Sequence, residues 1–94
     1  MIGKIDFFKL EWNPFKGQFR YSEIGEETFT YFPNDEEQTP GEENEWGVTC
    51  EKMAKSVMIR FMEMVTDKYN LFDGTDPEPY PSWEIIRAEL QSLT

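Results

Sequence analysis

The side chains in this sequence that could carry out chemistry or bind a ligand are mainly carboxylates, and they cluster in one segment. Residues 21–51 contain ten of them and neither lysine nor arginine, while the rest of the chain has nine acids and nine bases. The whole formal charge of −10 therefore belongs to one third of the chain. A local anionic field of this kind attracts a basic partner and repels nucleic acid and anionic membranes.

The sequence offers little for catalysis. It has no histidine, so the commonest general base and the Ser-His and Cys-His nucleophile pairs are missing. No phosphate-binding loop, dinucleotide-binding motif or zinc-protease motif occurs along the chain. We therefore expect a protein that is not an enzyme and that uses no cofactor.

Metal binding is not expected either. Cys50 is the single cysteine, which excludes an internal disulfide and a cysteine zinc site. The acids do not follow the alternating spacing of an EF-hand calcium loop. Cys50 is expected to be a small packed residue rather than a reactive thiol.

Size and composition predict one folded domain over residues 1–94. The aromatic share of 16% supplies large side chains that stabilise a small core without disulfides. The N-terminus lacks the basic and apolar regions of a signal peptide, and no run approaches the ~18 apolar residues of a membrane span. The expectation is a cytoplasmic protein with no membrane partner.

The secondary-structure elements that position the acids can be predicted from the pattern of residue types. Aromatic and β-branched residues predict three strands, and two short connections between them favour an antiparallel meander. The strands are predicted at about 4–12, 18–24 and 28–32, an acidic loop at 33–45, and helices at about 50–69 and 83–92. The fold class is thus α+β: a three-stranded antiparallel β-meander followed by two α-helices packed on one sheet face. Trp12, Tyr21 and Tyr31 are candidates for display on the other face.

The two helices are read from their caps and apolar stripes. Thr49 is the expected N-cap of the first helix, and Ser82 is that of the second. Met53, Val57 and Phe61 recur at helical spacing in the first helix, and Leu90 lies on the apolar side of the second. These four residues are predicted to be core, and their substitution is expected to cost stability rather than specificity.

The candidate partner-binding residues are the acids of the second connection and of the acidic loop, with two aromatic residues as anchors. Loop and strand carboxylates approximate the charge spacing of duplex DNA, and large rings beside charge are typical of interfaces. The set consists of Glu23, Glu26, Glu27, Tyr31, Asp35, Glu36, Glu37, Glu42, Glu43, Glu45 and Trp46. A charge run is also a common solvated surface, and that alternative stays open.

These observations favour an inhibitor that binds and blocks a basic nucleic-acid-binding surface, acting as a nucleic-acid mimic. The partner would be a nuclease or a nucleic-acid-binding complex, as it is for anti-CRISPR and anti-restriction proteins of phages and mobile elements. The chain would act as a monomer or homodimer without contacting nucleic acid directly. One alternative is an immunity protein that neutralises a cognate nuclease toxin. Another is a phage structural or adaptor module that binds through its open sheet face or a sheet edge.

Overall fold

A computed structural model of the chain describes residues 7–32, 42–71 and 80–93, with only the backbone of Glu42. These residues form one antiparallel sheet in the order β3-β2-β1-β4 together with two helices, which confirms the α+β class. A 3-10 turn at Glu42–Glu45 precedes the last strand. The expected strand residues 4–6 and most of the acidic loop lie outside the described residues. The elements are β1 (Phe7–Asn13), β2 (Gln18–Glu23), β3 (Thr30–Phe32), β4 (Gly47–Ala54), α1 (Lys55–Tyr69) and α2 (Trp83–Leu93).

The start of the first helix is where the sequence prediction was wrong. Residues 47–54 form β4, which pairs antiparallel with β1, so the sheet has four strands rather than three. Thr49 is therefore a strand residue and not a helix cap. Helix α1 begins at Lys55, and Ala54 before it has an extended backbone and makes no side-chain cap hydrogen bond. The helix ends at Tyr69, and the next residue, Asn70, has a left-handed φ of 55° that stops the helical run.

The first hairpin has the predicted turn. The Asn13 Oδ1 atom accepts hydrogen bonds from the backbone N–H groups of Phe15 at 2.9 Å and Lys16 at 3.2 Å. Gly17 closes the turn at a φ of 62°, a conformation that glycine adopts without a steric penalty. This turn fixes the β1–β2 register, in which Leu10 lies opposite Tyr21 and Trp12 opposite Phe19.

The core lies between the sheet and both helices. Leu10, Trp12 and Phe19 of the sheet are fully buried. They belong to the same cluster as Phe61 of α1 and Ile86 of α2. The proposed display of Trp12 on an open face is therefore wrong, because its ring belongs to the core. Tyr21 is half-buried and packs against that core.

The later start of α1 changes which of its residues face inward. The buried residues of α1 include Met58, Phe61, Met62 and Val65, which are spaced by three or four along one helix face. Val57 falls outside this stripe and is 39% exposed, so its prediction as core was wrong. Phe61 and Met53 are buried as predicted, although Met53 belongs to β4, and Leu90 is partly buried against the core. 

Helix α2 is joined to β1 by two indole hydrogen bonds. The Trp12 Nε1–H donates to the Pro81 carbonyl at 2.9 Å, and the Trp83 Nε1–H donates to the Trp12 carbonyl at 2.9 Å. Ser82 stands at the predicted N-cap position, where its carbonyl accepts the Ile86 N–H at 3.1 Å. The indole of Trp83 also lies directly over Gly47 of β4.

Candidate functional site

The candidate site occupies the sheet face that turns away from the core, which we call the outer face. Because neighbouring residues on a strand point to opposite faces, Lys9 and Glu11 lie on this side of β1. Their register partners are Ser22 and Arg20 of β2, and Arg20 is in turn opposite Tyr31 of β3. The outer face therefore mixes charged and aromatic side chains.

Arg20 is the centre of the outer face. Its Nε atom lies 2.6 Å from Glu11 Oε1, and its side chain is only 12% exposed. The guanidinium carbon lies 4.2 Å from the ring centroid of Phe29 and 4.4 Å from that of Trp46. A planar cation between two rings, paired with a buried carboxylate, is held by stacking and by charge together. Lys9 shares the same carboxylate, with 3.7 Å between its Nζ atom and Glu11 Oε2.

The two predicted aromatic anchors meet beside this stack. The rings of Tyr31 and Trp46 pack edge to face with 5.7 Å between centroids. Trp46 is 7% exposed and lies against Tyr31 and Arg20, whereas Tyr31 is half-buried. Tyr31 therefore offers more surface to a partner than Trp46 does, and the anchor role of both stays a prediction.

The predicted acids fall in two places at opposite ends of β2. Glu26 and Glu27 are exposed in the connection after β2, where Glu23 is half-buried at the strand end. At the other end, Glu43 is exposed, and Glu45 Oε2 accepts a hydrogen bond from Asn13 Nδ2 at 3.2 Å. Four further candidates cannot be placed, three because they lie outside the described residues and one because only its backbone is described. The first three are Asp35, Glu36 and Glu37, and the fourth is Glu42.

Two cavities meet at the end of β2, and we call them together the hairpin groove. Their volumes are about 270 and 300 Å³, and both are lined by Ser22, Glu23 and Glu26. The first cavity is completed by Lys9, Ile24, Gly25 and Glu51. Glu51 was counted among the acids of residues 21–51 but not among the candidate site residues. It brings a third carboxylate to a groove whose other two come from the β2 end.

A bulge in β4 explains the position of Glu51. Phe8 pairs with Met53 and Leu10 pairs with Cys50, so Lys9 alone faces both Glu51 and Lys52. Such a bulge re-aims the extra side chain and bends the strand. Glu51 consequently lines the groove, while the Lys52 Nζ atom lies 4.6 Å from the ring centroid of Phe7. The sequence signal for this arrangement would have been two successive polar residues inside a strand.

A second polar cluster joins the two helices, away from the outer face. Lys68 Nζ donates to Glu89 Oε1, and the Tyr69 hydroxyl donates to the same atom at 3.1 Å. The hydrogen bond from Lys68 lowers the pKa of Glu89, and that bond raises the pKa of Lys68. Partial burial and the bond to Glu89 raise the pKa of Tyr69. This cluster ties α1 to α2 and has the geometry of a structural contact.

Two classes of site were searched for directly within the described residues. No group of three or more His, Cys, Asp or Glu side chains there is arranged to hold a metal ion. No helix in the same part of the chain combines the length and apolar character needed to cross a membrane.

The described residues define an α+β protein whose outer sheet face carries a cation–aromatic stack beside an acid-lined groove. In comparisons with known proteins, no family model, curated protein or solved structure matches the chain. 

Proposed function

We propose that this chain is a small acidic, non-enzymatic inhibitor that covers a basic nucleic-acid-binding surface of a partner protein. The observation that carries the proposal is the hairpin groove, where Glu23, Glu26 and Glu51 line one concave surface. Carboxylates around a concavity complement the arginine and lysine side chains that a phosphate-binding surface presents. Attraction of this kind also speeds association and makes it dependent on salt.

The bases of the outer face support a protein partner over a nucleic-acid partner. Arg20 is enclosed by Phe29 and Trp46 and paired with Glu11, and Lys9 is close to the same carboxylate. A stacking platform for bases needs cations that reach phosphates. These two cations are instead directed at Glu11.

The alternative of an adaptor that adds a strand to the sheet has less support. β3 has only three residues. β4 shows register shifts where it pairs with β1, on either side of Leu10. Short edge strands and bulges are devices that hinder pairing with another chain. An immunity protein would use the same acid-lined surface, and it is separated from a defence inhibitor by the identity of the partner.

The test compares two variants of equal charge. In the first, three exposed acids in or beside the hairpin groove, Glu26, Glu27 and Glu51, become Gln. In the control, three exposed helical acids are neutralised: Glu63→Gln, Asp67→Asn and Glu84→Gln. Tagged proteins are used to capture partners from a lysate, and the captured protein is then purified and bound to labelled duplex DNA.

The expected result is a basic protein that wild type and control capture equally and that the first variant binds about tenfold more weakly. Three exposed ion pairs of up to ~1 kcal/mol each account for a loss of that order. Adding wild-type chain should displace the labelled DNA from the captured protein. Equal capture by all three proteins, or DNA that stays bound, would refute the inhibitor proposal.

A further inference from the structure

We infer that the hairpin groove receives a single arginine side chain of the partner protein. The inference rests on the proposed function, since it names the group through which a basic partner engages the acids. It also goes beyond that function, because the earlier proposal requires only an anionic surface.

The first argument is an unused hydrogen-bonding group in the groove wall. Ser22 lines both cavities and is 7% exposed. Its hydroxyl makes no hydrogen bond to the part of the chain that the structure describes. Because Ser22 lines both cavities, its hydroxyl is within reach of a ligand, and its lone pairs can accept from an N–H donor. The groove therefore presents a hydroxyl acceptor to a donor, in addition to its carboxylates.

The second argument is the charge around that hydroxyl. Glu23, Glu26 and Glu51 contribute three carboxylates, and Lys9 contributes one ammonium group. The Lys9 ammonium lies 3.7 Å from Glu11 Oε2, which compensates part of its charge. The groove is thus left with an excess of acceptors and of negative charge. An occupant must be a cation with several donors and no acceptor, as guanidinium is.

The third argument is the apolar part of the walls. Ile24 lines the cavity that contains Glu51, and it is 53% exposed. Arginine places its methylene stem along apolar surface while its head meets polar groups. Lysine has the stem but concentrates its charge at one point, so it would satisfy fewer of the acceptors.

The test uses matched probes and two-dimensional ¹⁵N–¹H spectra. Wild-type protein is titrated with acetyl-Gly-Arg-Gly-amide, with the corresponding lysine peptide, and with the citrulline peptide, which keeps the shape of arginine but not its charge. The arginine peptide should shift the backbone amides of Ser22, Glu23, Glu26 and Glu51 most. The lysine peptide should bind more weakly, and the citrulline peptide should shift none of them.

Two variants test the named groups separately. Ser22→Ala and Glu51→Gln should each weaken binding of the arginine peptide about fivefold, which is the order expected for one ordinary hydrogen bond or one exposed ion pair. Glu63→Gln on the exposed side of α1 should leave it unchanged. Should Ser22→Ala unfold, Glu51→Gln at its exposed position still provides the measurement.

The outcomes separate this inference from the proposed function. If the arginine peptide leaves the amide signals of the groove residues unshifted, or if the citrulline peptide shifts them equally, the inference that the groove binds arginine is refuted. Acid-dependent capture of a DNA-binding protein would then still support the inhibitor role. If the arginine peptide binds in the groove while capture of the partner is independent of the acids, the arginine-binding groove is supported and the inhibitor role is refuted.

Discussion

Replacing Gly47 with alanine should destabilise the fold through one specific contact. A Cβ atom at this position would lie 2.2 Å from Trp83 Cδ2 and 2.3 Å from Cε2. Ordinary contact begins near 3.4 Å, so the indole would have to retreat by about 1.2 Å. These are ring atoms close to the backbone of α2 rather than the end of a flexible chain. Helix α2 would therefore have to move away from β4.

The magnitude follows from two costs. Forcing extra volume into a packed contact costs about 1–3 kcal/mol. The same displacement would break the hydrogen bond from Trp83 Nε1 to the Trp12 carbonyl, now 2.9 Å long, at a cost of about 1 kcal/mol. The sum of about 2–4 kcal/mol is a large share of the ~5–15 kcal/mol by which domains are stable. The melting temperature of a chain of this size should fall by about 10–25 °C.

A double-mutant cycle isolates the clash. Urea unfolding is followed by circular dichroism for wild type, Gly47→Ala, Trp83→Ala and the double variant. Trp83→Ala removes the three atoms nearest to the new Cβ, so Gly47→Ala should cost less than ~0.5 kcal/mol in that background. An unchanged midpoint for Gly47→Ala alone, or an equal loss in both backgrounds, would refute the argument.

Two further predictions concern the polar clusters. Arg20→Lys keeps the charge beside Glu11 but loses the planar stack on Phe29 and Trp46. In urea titrations it should lower the free energy of unfolding by about 1–2 kcal/mol. The control, Arg60→Lys at an exposed position, should lower it by less than ~0.5 kcal/mol. Since the pKa of Glu89 is lowered from its ordinary 4.5, its contribution to stability is complete above pH 4.5 and is lost as the pH falls through the lowered value. Thermal melts of wild type and Lys68→Met should therefore differ at pH 7 and converge at pH 2–3; a difference that persists in acid would show that Glu89 does not carry the effect.

The strands before residue 33 were accessible to sequence reasoning, because local chemistry specifies them. Asn13, Pro14 and Gly17 mark a turn by their own backbone preferences, and aromatic residues on either side alternate between two faces. The structure differs in three respects: the third strand begins at Thr30 rather than at residue 28, Trp12 is buried, and Tyr21 packs against the core. Which face of a sheet the helices cover depends on long-range packing, and the alternation alone does not distinguish the two sides.

β4 was missed for a physical reason. The strand runs into α1 at Ala54 with no turn residue between them, so the apolar spacing of Met53, Val57 and Phe61 reads as one continuous helix. Met53 is buried in either assignment, which makes it uninformative. The bulge at Glu51 and Lys52 then removes the alternation that identifies a strand.

The hairpin groove was out of reach for the same reason, and this links the fold to the site. Sequence proximity grouped Glu23 with Glu26, but Glu51 reaches them only because β4 pairs with β1 and bulges opposite Lys9. The place of Ser22 in the groove wall gives no signal in sequence, since serine is ordinary at a strand end. Charge segregation therefore marked the third of the chain that supplies the three carboxylates of the groove. The concave surface itself is a product of strand pairing, and it turns a diffuse electrostatic argument into one about particular residues.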